Sequence, residues 1–557
     1  MSVEAYGNYG SRGLPEILQE LTSAGIVGVD TETHSIEDKT MIGLSIASSP
    51  EYGVWFSEDS PYLHIALSIL RNPKITKVLH NSKFDFDVLE PFGIDETNFE
   101  DPMILAYTLH LPLKLYTLAQ NLGATIEAKY VDFKIPTKGT MLEVWQASPD
   151  FVIQKCCIDA SLALWCWYRL LTWIVPSYYI DRNIVHVLRN MEQAGVALNQ
   201  ESVNEYYEEL TELTTYLRQL ISTKGCDPNS NTQVGIALAQ RGWRLPYTKG
   251  GKDGKKKQLR VDEKTIIGID DPLAQSVLIY REKAKLLNTY AKPLLGLERA
   301  YTTYNNTRVV TGRLSSSDPI NMQNIPDYFR GVYMADTRFW SYDASQIELR
   351  ALAYMAQDKV MMKAFEDGED IHKATMDKMG ITGNLADPVD ARRLAKVLNF
   401  AVSYLGEEET IITNAKKEGI VISPQEATGF RVRYAETYPG IRDYVWSQRE
   451  QITKKGFVTT LYGRVRKADQ LRMSRPHSRE NVIREMFNMP IQGTASEVIK
   501  MMMAKAYKYD LRIQVHDEIV YDGKCPPESL LMGLAPFDTP LKLSVGQSWG
   551  DLTVVSK

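Results

Sequence analysis

The sequence predicts an α/β multidomain protein, and three observations carry that reading. The chain is 557 residues long, several times an ordinary domain. Its first ~165 residues alternate strand-like apolar runs with helical patterns, whereas the stretch from about 170 onward turns to long amphipathic helices. From 301 to 557 strands and helices mix again, and most of the unusual motifs lie there. No internal repeat and no long low-complexity segment interrupts this order.

In the first unit, Gly25–Asp30, Met41–Ala47 and Tyr52–Phe56 read as successive strands separated by turn residues. LHIALSILRN and VLEPFG read as helical segments around further short strands, which together give a mixed sheet. In 203–220, Val203, Tyr207, Leu210, Leu213, Leu217 and Leu220 recur every three or four residues, with Gly225 as a stop. A second helix is expected from Pro272, with Leu273, Val277, Ala284, Leu287 and Leu294 on its stripe. Between the two lies a Gly/Lys tip, 249–260, carrying Lys249, Lys252, Lys255, Lys256 and Lys257. Two long helices joined by a basic tip suggest a lever or clamp; a merely solvated charge run is the alternative.

Composition sets limits. With 44% hydrophobic and 24% charged residues the chain is of the soluble globular type. A net charge of −5 excludes a chain basic throughout, so nucleic-acid binding would need local basic surface. The five cysteines show no CxxC or Cys/His metal spacing and read as reduced thiols. No secretory signal and no run of the ~18 apolar residues needed for a membrane span is evident, so a cytoplasmic protein is expected.

Two acidic constellations stand out. Val29-Asp30-Thr31-Glu32 closes a strand, which places Asp30 and Glu32 on one face; two neighbouring carboxylates repel unless a cation lies between them, and hard oxygen ligands suit Mg²⁺ or Mn²⁺. HNSKFDFD adds Asp85, and the helical stretch QKCCIDASLALW adds Asp159 among apolar neighbours, where a carboxylate is costly unless paired or coordinated. Near the C-terminus, a strand-like FWSYDA carries Asp343 into a helix, and RIQVHDEIVYDG places Asp517 in a turn between two strand runs. Between these lies RRLAKVLNFAVSY, in which Arg392, Lys396, Phe400 and Tyr404 recur every four residues. That is one helical stripe ~18 Å long, two cations followed by two aromatics, long enough for a nucleoside triphosphate.

The four N-terminal acids resemble the DEDD group of 3′–5′ exonucleases, with an RNase H-like fold. TGRLSSSDPINMQNIP, YDASQIELR, GEDIHKAT, RRLAKVLNF, NMPIQGTASEVIK and VHDE together resemble family A, polymerase I-like DNA polymerases, and the match runs along nearly the whole chain in the family's order. The resemblance implies an exonuclease domain followed by a right-hand polymerase domain of palm, thumb and fingers, without a separate 5′-nuclease domain, a compact layout similar to that of bacteriophage members. The expected units are 1–170 exonuclease-like, 171–300 linker helix and thumb, 301–358 palm, 359–460 fingers and 461–557 palm.

The resemblance further implies roles. Asp30, Glu32, Asp85 and Asp159 would hold two metals of the nuclease site, and Asp343 and Asp517, with the carbonyl of Ala344, two metals of the polymerase site; Mg²⁺ is expected, with Mn²⁺ as a substitute. Glu518 would support the primer terminus and His516 would lie beside its backbone. Arg392 and Lys396 would bind the triphosphate, Lys396 also protonating pyrophosphate, and His372 would contact the β-phosphate. Phe400 and Tyr404 would pack on the incoming nucleotide and the nascent pair, and Glu348 would exclude a 2′-hydroxyl. Arg313, Arg484, Asn488 and Gln492 would hold the template–primer, with Lys255, Lys256 and Lys257 gripping DNA. Primer-template DNA and dNTPs are the expected partners of a monomer without membrane contact, in the host cytoplasm if viral, alongside a replication helicase or processivity factor. Three positions depart from the pattern: Lys155 stands where one exonuclease subgroup has tyrosine, Ala344 where an aromatic is common, and Leu405 where glycine is usual. A polymerase with a weak or inactive exonuclease domain, a nuclease with a DNA-binding clamp and a replication scaffold are the competing readings.

Overall fold

The computed structural model describes residues 4–6, 14–135, 139–248, 258–381, 388–403, 406–468 and 476–556. The lysines of the Gly/Lys tip, Tyr404 and Leu405 lie outside the described residues.

The first unit is built on a six-stranded sheet. Its order is Glu4–Tyr6, Tyr52–Ser57, Met41–Ser49, Ile26–Thr33, Thr76–Leu79, Phe99–Glu100. The three central strands form an antiparallel meander, and the outer pairings are parallel. Helix Pro149–Leu170 opens on Pro149, where the missing N–H costs nothing, and lies across the sheet. Two glycines let it approach. A Cβ on Gly28 would lie 2.1 Å from the Ala160 carbonyl oxygen, and one on Gly53 would lie 2.6 Å from that of Cys157. The helix segment 155–160 is thereby pressed onto the strand that carries Asp30 and Glu32.

Helices Gln200–Ser222 and Pro272–Lys285 pack on one another. The expected bare tip between them is corrected: helix Asn231–Gln240 and the turn Glu263–Ile266 intervene, and Leu217, Ile221, Val234, Leu238, Ile266 and Val277 close a small core of their own. The expected stripe to Leu294 is also corrected. The α-helix ends at Lys285, widens to a π turn over Leu286–Ala291 and tightens at Lys292–Leu294, where Pro293 has no N–H to continue the ladder.

The second large sheet runs Asp510–Val515, Glu518–Asp522, Tyr333–Ala344, Leu541–Ser548, Thr553–Ser556, all antiparallel, with Val196–Leu198 alongside the start of the central strand. Helix Pro476–Lys505 packs behind it, and helices between Ile347 and Lys455 form a separate core around Leu352, Phe365, Leu398, Phe430 and Phe487.

Buried charge lies where the first unit meets the rest of the chain. Arg464 donates to Asp181 Oδ2 at 2.6 Å and to Glu497 Oε1 at 3.0 Å, while Lys500 donates to Asp181 Oδ1 at 2.6 Å; all four side chains are buried. The guanidinium of Arg464 also lies 4.9 Å from the ring centre of Tyr107 in the first unit. Buried Arg189 clasps Asp87 at 2.6 Å and Glu90 at 2.8 Å, and also pairs with Glu96. Lys83 donates to the Tyr304 carbonyl at 2.7 Å. Among the described residues no helix is long and apolar enough to cross a membrane.

Candidate active sites

The sheet and the helix pressed onto it gather the four N-terminal acids. Glu32, Asp85 and Asp159 are buried, and Asp30 is half-buried. Burial, then the charge of Asp159, holds the Asp30 carboxyl well above its ordinary value, and burial likewise raises Glu32. Asp85 is pushed up to about 8 by burial, although Thr31 Oγ1 donates to its Oδ1 at 2.7 Å. Oxygen donors crowded this way suit a hard cation.

Lys155, one helical turn before Asp159, reaches into this cluster. Its Nζ donates to Glu32 Oε1 at 2.8 Å and to Asp159 Oδ2 at 2.7 Å. Burial pulls the ammonium's pKa down, but Asp159, Glu32 and Asp30 outweigh it and hold the value well above that of a free lysine. Two neighbours were not legible in advance. Cys156 donates its thiol to Asp30 Oδ2 at 3.1 Å, and its sulfur lies with the Asp30 and Glu32 oxygens within 4.8 Å of one another. The grouping is across elements and not along the chain, so the absence of a metal-type cysteine spacing in the sequence does not bear on it. The buried Tyr116 hydroxyl meets Asp159; burial and then the charge of Asp159 raise it. The helical spacing of Cys156 three residues before Asp159 was the available signal; Tyr116 had none.

The second site forms where the hairpin Asp510–Val515/Glu518–Asp522 meets the strand Tyr333–Ala344. Asp343 pairs in register with Glu518 on one side and Lys542 on the other. The hairpin turns over His516, in the left-handed region at φ 53°, and Asp517. The Ala344 N–H donates to the Asp517 carbonyl at 3.1 Å, which fixes the two aspartates as neighbours although they are far apart in sequence. Burial and the Glu348 and Asp343 charges push Asp517 up to about 7, against Arg313; burial and Glu518 raise Asp343, with Lys542 opposing. Such repulsion suits divalent ions, so the donors present here fit them as well. Glu518 is engaged elsewhere: its Oε1 accepts from Ser341 at 2.7 Å, and Arg330 lies 3.5 Å from Oε2.

Helix Pro388–Ser403 exposes Arg392, Lys396 and Phe400 on one face while Leu394, Ala395, Val397 and Leu398 are buried, so the cation–aromatic stripe is presented outward. Arg392 pairs with Asp370, the cap of the helix holding His372; Lys396 makes no ion pair among the described residues. Buried Asn399 donates to His372 Nδ1 at 2.9 Å, which leaves Nε2 to carry the hydrogen. Burial lowers His372 to about 4, so its ring is neutral at pH 7. The ring centres of His372 and Phe400 are 6.1 Å apart. Asp370 and Asn399, both missed in the sequence, therefore fix the orientation of this stripe.

Glu348 is buried at the first turn of Ile347–Ala356 and pairs with Arg313. Helix Pro476–Lys505 carries Arg484, Asn488 and Gln492 one turn apart, on the same face. Arg484 pairs with Glu407, and Asn488 Oδ1 is buried without a partner.

Two acid sites on two separate sheets, with an outward-facing cation–aromatic helix in the second unit, define a two-site α/β protein. Comparison makes the assignment specific. Residues 196–529 match DNA polymerase family A, and residues 9–141 match a 3′–5′ exonuclease family, a match that stops before Lys155 and Asp159. The chain belongs to DNA polymerase family A. It is 29% identical over 505 residues to DNA polymerase I of Rhizobium leguminosarum, covering 82% of this chain and 47% of that one. It is 32% identical over 401 residues to the thermostable DNA polymerase I of Thermus thermophilus, covering 66% and 47%. With that of Chloroflexus aurantiacus it shares 29% over 572 residues, covering 92% and 58%. The chain thus spans about half the length of the curated relatives it matches. Its fold is similar to the POL domain of Pol1 from M. smegmatis, solved with DNA primer-template and dNTP: TM-score 0.79, 24% identity, 99% of both chains covered.

Proposed function

We propose that this chain performs template-directed DNA synthesis, adding dNTPs to a primer 3′ end, and hydrolyses the 3′ end at its N-terminal site. The observation that carries the reading is the hydrogen bond that sets the Asp343–Ala344 strand end against the Asp517 turn, together with the exposed Arg392, Lys396 and Phe400 stripe on a helix that packs against Ile347–Ala356, the helix following Asp343.

In this reading Asp343, Asp517 and the Ala344 carbonyl hold two Mg²⁺ ions, which Mn²⁺ can replace, and Asp30, Glu32, Asp85 and Asp159 serve the nuclease site. Bound metal supplies charge stabilisation for the attacking and leaving oxygens. The chain's own residues do the rest. Arg392 exchanges Asp370 for triphosphate oxygens, and Lys396 binds the same group and protonates the departing pyrophosphate. Neutral His372 donates from Nε2 to the β-phosphate, since its other nitrogen accepts from Asn399. Phe400 and Tyr404 pack on the nucleotide and the nascent pair. Glu348, pinned by Arg313, closes the space a 2′-hydroxyl would need. Arg313, Arg484, Asn488 and Gln492 line the template–primer path, His516 and Glu518 flank the primer terminus, and Lys255, Lys256 and Lys257 grip the duplex backbone.

The corresponding units are residues 1–170 for the nuclease, 171–300 for linker helix and thumb, 301–358 and 461–557 for the palm, and 359–460 for the fingers. We further propose a bacteriophage-type member acting as a monomer in the host cytoplasm, with a helicase or processivity factor as partner. The test is one primer-extension gel, run with and without dNTPs. Extension with dNTPs and shortening without them is the expected result; a primer left unchanged in both lanes would overturn the reading.

A further inference from the structure

Carboxylates crowded in one hydrolytic site are ordinarily held together by divalent ions lying between them. In the N-terminal site one such gap is already bridged. Lys155 Nζ lies 2.8 Å from Glu32 Oε1 and 2.7 Å from Asp159 Oδ2, and its side chain is only 15% exposed. A Mg²⁺ ion bridging the same two oxygens would sit about 2.0–2.1 Å from each, in the space the ammonium fills. The two cations exclude one another there.

The placement is built in, not incidental. Lys155 precedes Asp159 by four residues on one helix, so both side chains share a face. That face is driven onto the Asp30–Glu32 strand by the close approach at Gly28 and Gly53. What remains for a metal is a reduced donor set. Asp30 Oδ2 is met by the Cys156 thiol at 3.1 Å, Asp85 Oδ1 by the Thr31 hydroxyl at 2.7 Å, and Asp159 by the Tyr116 hydroxyl as well as by Lys155.

We propose that Lys155 fills one of the two cation positions of the N-terminal acid site, so that this site takes a single divalent ion. The inference rests on the nuclease reading above and deepens it. A lysine ammonium provides positive charge toward a phosphate but cannot activate water as a divalent ion does. The single-ion site therefore binds a 3′ end while hydrolysing it slowly.

The experiment counts ions directly. The full chain carrying Asp343→Asn and Asp517→Asn, which removes the other acid pair, is titrated with Mn²⁺, and free Mn²⁺ is followed by electron paramagnetic resonance. One ion per chain, lost on further Asp30→Ala substitution, is the expected result. Adding Lys155→Gln should raise the count to two, and Lys155→Arg, which keeps the cation, should leave it at one. Two Asp30-dependent ions with Lys155 in place would overturn the proposal, whether or not the glutamine variant folds; so would a folded glutamine variant that still binds one. Trimming of single-stranded DNA by the unaltered chain is scored separately. One ion without trimming would leave the count standing and remove the nuclease reading instead.

Discussion

The two acid sites solve the same electrostatic problem in opposite ways. In the N-terminal site the carboxylates are sunk between sheet and helix, and a lysine from the same helix is drawn in among them. In the C-terminal site the two aspartates sit at a strand end and an adjacent turn, and the cations of the proposed triphosphate site stand on a separate helix. A lysine held by two of the acids quiets the N-terminal cluster, whereas Arg313 and Lys542 only oppose the shifts of Asp517 and Asp343, which make no ion pair among the described residues. The difference predicts a strong synthetic site beside a weak hydrolytic one.

The sharpest way to break this comparison is to remove one site at a time. Asp343→Ala or Asp517→Ala should lower primer extension by about 1,000-fold or more while 3′ trimming persists, because each removes a proposed metal ligand from one sheet only. Asp30→Ala should do the reverse. Loss of both activities in any one of these folded variants would refute the independence of the sites.

Next in size is the buried charge where the first unit meets the rest of the chain. Asp181→Ala leaves Arg464 and Lys500 without their shared carboxylate in a fully buried setting and should cost about 3–5 kcal/mol. Denaturant unfolding monitored for both activities would measure it, and a loss under 1 kcal/mol would show that water reaches the cluster.

Within the C-terminal site, Phe400→Tyr adds a hydroxyl on the exposed stripe. Use of dideoxynucleotides should rise about 100-fold, ~2.7 kcal/mol in relative barrier. Single-turnover incorporation of ddNTP against dNTP checks this; an unaltered enzyme that uses both equally would place Phe400 away from the sugar.

A last effect, confined to acid pH and absent at neutral pH, concerns His372. Its folded pKa, about 4, lies below the ordinary 6.5, so the unfolded chain binds more protons between these values. Stability is therefore fully present above pH 6.5 and falls as pH drops toward 4, by at most about 1.4 kcal/mol per pH unit from this group. His372→Gln should flatten that part of the stability–pH curve relative to the unaltered chain; a parallel curve would mean that folding does not lower the pKa of the ring.

Much of this was legible in the sequence. Strand Ile26–Thr33 announced itself by apolar content, and the four-residue spacing of Arg392, Lys396 and Phe400 is a helical face whatever surrounds it. The position of Lys155 relative to Asp159 was legible for the same reason. Cys156 and Tyr116 were not: their meeting with the acids depends on how closely helix Pro149–Leu170 lies on the sheet, which two glycines decide and no periodicity records. Asn399 and Asp370 escaped notice likewise, since a residue that orients another is identified by what it touches. The lobe between the two long helices was misjudged as a bare tip because its short apolar segments carry too few turns to show a period.

The Arg464 cluster and the Arg189 clasp have a consequence for the substrate. With the first unit fastened to the rest of the chain through buried ion pairs on several elements, the journey from one site to the other falls to the DNA. Under the proposed function, a primer end must be peeled from its template to reach the N-terminal acids, at about 1.4 kcal/mol for each stacked step undone. A mispaired end has already surrendered part of that cohesion and makes the crossing more often. Discrimination between right and wrong termini is then set largely by fraying of the duplex, and a slow hydrolytic site suffices as long as the mispaired end is extended more slowly still.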